Sequence, residues 1–186
     1  NDTLNDISGT DTLDFTGASD ALSFNLGTAS LTVSGGGNNL NVTSGNNIER
    51  LLGGTGNDIF IFANGANLAG GGTGTYLSGG SGNNTLDYTA YTGGVYVNLL
   101  TKTATGINNT LPGGIDLIQN VNGGLVYNEI WGDNKDNILT SGTSNDNLYG
   151  LGGNDTYVFI DGWGTDFVYD SAGIDTMTFI NLSTGV

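Results

Sequence analysis

Between Trp131 and Thr178 one nine-residue phrase recurs: WGDNKDNIL, SGTSNDNLY, GLGGNDTYV, DGWGTDFVY and DSAGIDTMT. An aspartate stands at the sixth place of each (Asp136, Asp146, Asp155, Asp166, Asp175), and a large apolar residue follows two places later (Ile138, Leu148, Tyr157, Val168, Met177). The aspartates lie 10, 9, 11 and 9 residues apart, so the unit is about nine residues with insertions at Thr140 and at the pair Phe159–Ile160. Each unit offers one short apolar strand and one turn of Gly, Asn, Ser and Asp. A fixed period of short strands and turns predicts an all-β fold, a parallel β-roll or β-solenoid in which units stack in register. No stretch sustains the i, i+3, i+4, i+7 apolar pattern of a helix, and the abundant Gly, Asn and Thr disfavour one.

Composition supports this reading. The 34 glycines recur at set offsets before the aspartates, which a loop-and-strand repeat explains better than a flexible linker does. Apolar residues make up 37% of the 186-residue chain, little for one large core but enough for coils that each bury a thin stripe. Eighteen acidic residues face only Arg50, Lys102 and Lys135, for a formal charge of −15. That charge argues against nucleic acid as a partner. It also opposes compaction unless something neutralises it, which a divalent cation does. Cysteine and histidine are absent, excluding disulfides, histidine acid–base chemistry and histidine-ligated zinc. No apolar run reaches the roughly 18 residues that a membrane-inserted helix needs.

Two longer repeats are superimposed on the short one. Asn1 to Phe15 aligns without a gap on Thr165 to Phe179, placing Asp2 on Asp166, Asp6 on Asp170, Gly9 on Gly173, Asp11 on Asp175 and Phe15 on Phe179. The chain is therefore expected to be a piece of a larger tandem array. Leu13-Asp-Phe15 likewise matches Leu86-Asp-Tyr88. Each is followed by an alternating run (Leu22–Leu26, Val95–Leu99) that reads as a half-buried strand. Each region ends in a shared signature, Ile48-Glu-Arg-Leu-Leu-Gly-Gly54 or Ile118-Gln-Asn-Val-Asn-Gly-Gly124. The expected segments are a strand-rich stretch over 1–52, a degenerate repeat block over 53–85, a strand-rich insert over 86–122, a full repeat block over 123–178, and the start of a further repeat over 179–186. The inserts are expected to continue the solenoid as wider coils.

The repeat has the chemistry of a hard-cation site. Calcium takes six to eight oxygens. A glycine-rich turn can aim several carbonyls at one point, an aspartate adds charge, and two stacked turns complete the shell. The pattern Gly-Gly-x-Gly-x-Asp-x-(large apolar)-x resembles that of the RTX (repeats-in-toxin) family of calcium β-roll proteins. In that family each coil takes two units. The resemblance thus pairs Asp136 with Asp155 and Asp155 with Asp175 on one edge. On the other it pairs Asp146 with Asp166, with Asn128 leading in. It further implies carbonyl ligands among Gly132, Asn134, Gly142, Ser144, Gly150, Gly152, Gly153, Gly162, Gly164 and Gly173.

In the earlier block, Gly53-Gly-Thr-Gly-Asn-Asp58 fits every place, but its neighbouring units carry poorer ligands, so one partial site near Asp58, or none, is expected. Asn67 and Asn84 replace the aspartate in later units, Asn128 does so in the opening unit of the full block, and the unit ending in Tyr76-Leu77 has lost it. The apolar place persists at Phe60, Leu77, Leu86 and Ile130.

Trp131, Tyr149, Tyr157, Trp163 and Tyr169 read as core or coil-capping aromatics rather than as a sugar-stacking face. The resemblance implies a calcium-binding structural module of a secreted or cell-surface protein, unfolded at low intracellular calcium and folding outside the cell after type I secretion. The alternative is a self-assembling surface-layer, filament or adhesin segment whose partners are neighbouring repeats, copies of itself, glycan or a host surface. An accessory module of a polysaccharide-active enzyme ranks lower. No catalytic constellation is expected in these residues.

Overall fold

A computed structural model describes residues 2–5, 9–43, 48–68, 76–107 and 114–181. Asp6 of the end-to-end alignment, Gly71–Thr75 of the unit before Leu77, and 182–186 of the expected further repeat lie outside the described residues. The described chain is all-β, without a helix. Its first strands are β1 (Asp2–Leu4), β2 (Asp11–Asp14), β3 (Ser23–Leu26), β4 (Leu31–Gly35), β5 (Asn38–Val42), β6 (Ile48–Leu52), β7 (Ile59–Phe62), β8 (Leu77–Ser78) and β9 (Thr85–Asp87). There follow β10 (Val95–Asn98), β11 (Thr103–Ala104), β12 (Ile115–Asp116), β13 (Asn120–Asn122), β14 (Asn128–Trp131), β15 (Ile138–Thr140), β16 (Asn147–Gly152), β17 (Thr156–Phe159), β18 (Phe167–Ala172) and β19 (Thr176–Phe179).

These strands form three sheets: a ten-stranded one in the order β1-β5-β4-β3-β7-β9-β13-β15-β17-β19, a five-stranded one, β11-β10-β14-β16-β18, and a four-stranded one, β12-β8-β6-β2. From β13 onward the chain alternates between the ten- and five-stranded sheets, and each strand pairs in parallel with the one two places on. We call one such two-strand passage a circuit.

The strands are short, so the core is a set of narrow columns. Phe24, Phe60, Leu86, Val121, Leu139, Tyr157 and Met177 are successive register partners. All but the last are buried. A second column runs Val97, Ile130, Leu148, Val168. Period two keeps each strand's alternate residues out of the core, as at Ser23 and Asn25 beside Phe24. The column corrects one detail of the sequence frame. Leu139, not Ile138, is the inward residue, and Ile138 is 45% exposed. Thr140 pairs in register with Val158 and is no insertion.

The inserts only partly continue the parallel stacking. β3 pairs in parallel with β7 and β10 with β14, but β4 and β5 fold back antiparallel beyond β3, and β11 folds back on β10. The longer repeat has a structural counterpart. The parallel pairs β2–β6 and β3–β7 recur as β9–β13 and β10–β14. The turn after each first strand is the same: Thr16 N–H and hydroxyl donate to Asp14 Oδ1 at 2.9 and 2.7 Å, and Thr89 does so to Asp87 Oδ1 at 2.9 and 2.7 Å. Equivalent strands nevertheless lie in different sheets, β2 in the four-stranded and β9 in the ten-stranded one. The repeat thus advances by half a circuit, which the sequence alignment could not display. At the chain's two ends, aligned Gly9 and Gly173 share an unusual backbone, with φ of 134° and 146°.

Candidate metal centre

The nonapeptide turns stack at the two edges where circuits reverse, and two hydrogen-bond ladders run through them. In the inner ladder, the sixth-place side chain accepts the N–H of the sixth-place residue one circuit earlier. Asn137 N–H donates to Asp155 Oδ1 (2.8 Å) and Asp155 N–H to Asp175 Oδ1 (2.9 Å) on one edge. Asn128 N–H donates to Asp146 Oδ1 (2.7 Å) and Asp146 N–H to Asp166 Oδ1 (2.8 Å) on the other. The same ladder passes through Asp58, Asn84 and Gln119 in the earlier circuits. The outer ladder runs through the fifth place in the opposite sense. Asn154 N–H donates to Asp136 Oδ1 (2.7 Å), Ile174 N–H to Asn154 Oδ1 (2.9 Å), and Thr165 N–H to Asn145 Oδ1 (2.8 Å).

Asp136 is therefore a fifth-place residue, and Asn137 holds the sixth place assigned to it from sequence. Asp136 stacks on Asn154 rather than Asp155. Amide and carboxylate oxygens both accept in either ladder, so Asp-Asn and Asn-Asp can each supply the two acceptors. A reading that counts carboxylates selects the wrong member of Asp136-Asn137. The signal that could have found Asn137 was period: it lies nine residues before Asp146 and eighteen before Asp155.

The corners are of two kinds. In the first, the second-place N–H closes onto the sixth-place side chain. Gly54 N–H reaches Asp58 Oδ2 (2.8 Å), Gly124 N–H reaches Asn128 Oδ1 (2.9 Å), and Asp133 N–H reaches Asn137 Oδ1 (2.9 Å). Since Asp58 Oδ1 accepts Leu22 N–H (2.8 Å), both oxygens of that buried carboxylate have backbone donors. In the second kind, the second and fourth places are both left-handed. These are Gly142 and Ser144 (φ 89° and 88°) before Asp146, Leu151 and Gly153 (77° and 108°) before Asp155, and Gly162 and Gly164 (84° and 78°) before Asp166. In these corners Oδ2 of Asp146, Asp155 and Asp166 is buried, and those of Asp146 and Asp155 accept no hydrogen bond, whereas the Ser141 hydroxyl lies beside the Asp166 carboxylate and opposes the effect of its burial. A buried carboxylate oxygen left without a donor is costly. Left-handed backbone at Ser144 and Leu151, which have side chains, adds strain.

The carbonyl positions implied by the family resemblance divide accordingly. Gly132 and Asn134 belong to the closed corner of Asn137. Gly142, Ser144, Gly162 and Gly164 belong to the open corners of the Asp146 edge. Gly150, Gly152, Gly153 and Gly173 belong to the Asp155–Asp175 edge. Close stacking explains glycine at two of these places, since a methyl group on Gly164 would strike the Ser144 carbonyl and one on Gly173 the Gly153 carbonyl. Of the amide-bearing units, Asn67 is exposed and Leu68 beside it bridges to Ile107.

Electrostatics set the open corners apart. Burial pushes the Asp146 carboxyl up to about 7, with Asp166 adding to the shift and Asn128 opposing it. Burial likewise pushes Asp155 up to about 6, aided by Asp170, Asp175 and Asp136 and opposed by the Asn137 N–H. Asp166 is raised chiefly by burial. One carboxylate oxygen from each of Asp155, Asp170 and Asp175 lies within 4.8 Å of the other two. Two like charges about 4 Å apart repel by about 1 kcal/mol in bulk water and about 4 kcal/mol at an effective dielectric of 20. Lys102 and Lys135 pair with Asp116 (2.7 Å) and Asp133 (3.9 Å), not with these carboxylates. An all-oxygen donor set with this charge suits a hard divalent cation.

The aromatics separate by role. Tyr157 is core, and Trp163 packs edge-on against Phe159 and Phe179. Trp131, Tyr149 and Tyr169 instead form a stack on the outer face of the five-stranded sheet, with centroids 3.7 and 4.9 Å apart. Within the stack the ring faces lie against one another.

No protein-family model matches the chain, and a search of curated proteins finds no match either.

Proposed function

We propose that this chain is a calcium-binding structural module built as a parallel β-roll, related to the RTX repeat family and belonging to a secreted or cell-surface protein. One observation carries the reading: Asp146 and Asp155 each hold a buried carboxylate oxygen with no protein donor, in a corner whose left-handed second place sends no N–H to it. Asp155–Asp175 and Asp146–Asp166 hold one ion each between circuits, and the first four places of each unit supply carbonyls. Calcium cancels the repulsion and binds only the stacked corners, so its binding energy is folding energy. Such a chain stays open where calcium is scarce and becomes rigid where it is abundant, a behaviour suited to the calcium-rich medium outside a cell. Calorimetric titration of the metal-free chain with calcium chloride tests this: the reading requires about two bound ions and a concurrent gain in strand circular dichroism. Absence of both would end it.

A second reading, self-assembly into a surface layer, filament or adhesin, draws on a different observation. The last described circuit exposes Phe167, Tyr169, Ile174, Met177 and Phe179 together, and β18 and β19 are the last strands of their sheets. Sedimentation with and without calcium separates the readings, since only assembly requires growth in size with protein concentration.

A further inference from the structure

Asp170 occupies a place that glycine holds in most other units. Gly53, Gly79, Gly132 and Gly150 all stand five residues before a ladder residue, and a methyl group on any of them would collide with that residue's side chain. Asp170 stands there in the unit of Asp175, and its side chain reaches towards the preceding circuit. Its Oδ2 shares the space against Gly150 with Asp155 Oδ2 and the Tyr157 hydroxyl. The Tyr157 hydroxyl donates to that same oxygen, and Asp170 Oδ1 accepts the Ala172 N–H at 3.1 Å.

This group is more than an acidic cluster. Asp155 is 1% exposed, and its Oδ2, aimed into the group, has no hydrogen-bond partner. Asp170 and Asp175 are exposed, so the buried oxygen has a solvent-facing entrance formed by two further carboxylates. The other edge differs. Asp161 holds the equivalent place before Asp166, but the three-carboxylate group among the described residues is that of Asp155, Asp170 and Asp175.

We propose that Asp170 is a third carboxylate ligand that makes the Asp155–Asp175 corner the tighter of the chain's two cation sites and favours ions of higher charge there. The inference rests on the reading of the stacked corners as calcium sites. Affinity at oxygen sites rises with the number of charged ligands and with how well the ion tolerates irregular geometry. Three carboxylates therefore favour calcium over magnesium, which demands near-ideal octahedral geometry and keeps its waters. They favour a trivalent lanthanide more strongly still. A carboxylate has about four acceptor positions, so Asp170 can keep the Tyr157 hydroxyl while facing the ion.

The test is calorimetric titration of the full chain with calcium chloride and then with terbium chloride. In the unchanged protein two affinities are expected. Asp170→Asn weakens the tighter one by about tenfold or more and leaves the weaker one in place. Asp161→Asn, the same charge change at the same place on the other edge, leaves both unchanged. Tyr157→Phe removes the hydroxyl but not the carboxylate, and the tighter site survives. Terbium bound there emits on excitation of tyrosine, and Asp170→Asn diminishes that emission. An Asp170→Asn isotherm superimposable on that of the unchanged protein overturns the inference, as does an equal loss in Asp161→Asn, which would reduce the effect to net charge. Loss of the tight site in Tyr157→Phe also overturns it, by assigning the effect to packing. If the unchanged chain binds no calcium at either corner, the proposed function falls with it. Retained binding with an unaltered Asp170→Asn isotherm removes this inference alone.

Discussion

In the block of residues 53–85, Gly53-Gly-Thr-Gly-Asn-Asp58 matches the nonapeptide at every place. In the block of 123–178, Gly150-Leu-Gly-Gly-Asn-Asp155 puts leucine at the second place. The better match makes the closed corner, in which both Asp58 oxygens accept backbone N–H groups. The poorer match makes an open one, with Leu151 held at φ 77° and Asp155 Oδ2 without a donor. Fidelity to the motif does not distinguish a structural carboxylate from a candidate ligand. Position in the stack does. The closed corners of Asp58, Asn128 and Asn137 each come first in a run of nonapeptide turns, whereas those of Asn84, Asp146, Asp155 and Asp166 rest on another such turn. In three of those later corners the third-place N–H bonds to the second-place carbonyl of the turn before: Ser81 to Gly54 (3.0 Å), Thr143 to Gly124 (3.2 Å) and Gly152 to Asp133 (3.3 Å); in the Asp166 corner the Trp163 N–H bonds to the Ile160 carbonyl instead (3.2 Å).

The contrast predicts its largest effect on removing calcium. In excess chelator, hydrogen exchange monitored by mass spectrometry is expected to show loss of protection across 131–178, while β3 and β7, whose corner is closed by backbone donors, stay protected. Equal protection in both regions would break the comparison. A smaller effect separates the carboxylates. Asp58→Ala leaves the buried N–H groups of Leu22 and Gly54 without acceptors and should cost about 2–4 kcal/mol in chemical denaturation, with calcium or without it. Asp155→Asn should lower stability only in the presence of calcium and raise it in chelator, because it removes one of several mutually repelling charges.

The pH dependence is smaller again. The folded, metal-free chain holds the Asp146 and Asp155 carboxyls at about 7 and about 6, above the 3.8 of the free side chain. Between those values the folded state binds more protons than the unfolded one, so stability falls as pH rises from about 4 towards 7. Thermal melts in chelator at pH 4.5 and 7.5 check the sign, and saturating calcium should flatten the difference. The smallest effect belongs to Leu151→Gly. It relieves left-handed strain but adds freedom to the unfolded chain, for a net gain of about 0.5 kcal/mol by thermal denaturation.

Much of the fold was legible in the residues. Apolar recurrence placed the strands, and alternation at Leu22–Leu26 and Val95–Leu99 assigned their inward faces. The family resemblance, with two units to a coil, anticipated the stacking of Asp155 on Asp175 and of Asp146 on Asp166. The misreadings have local causes. Asp136 for Asn137 and Ile138 for Leu139 are the same one-residue slip, which keeps both a ladder acceptor and an apolar residue in view. For Trp131, Tyr149 and Tyr169 the expectation of core or coil-capping aromatics does not separate the two faces, because aromatic residues carry no sign of which face of a strand they occupy until its register is known. The antiparallel returns of β4, β5 and β11 carry no periodic signal, since a hairpin and a coil use the same turn residues.

By itself, the sequence determined an all-β chain of short, mostly parallel strands with acidic turns on a period near nine. Those follow from spacing and residue type, which act along the chain. Only the tertiary structure decided which of those turns leave a carboxylate oxygen unsatisfied and that Asp170 joins Asp155 and Asp175. Whether an N–H reaches a carboxylate depends on the backbone of the turn stacked beneath it, and that turn lies about two units away in sequence but one strand spacing away in space.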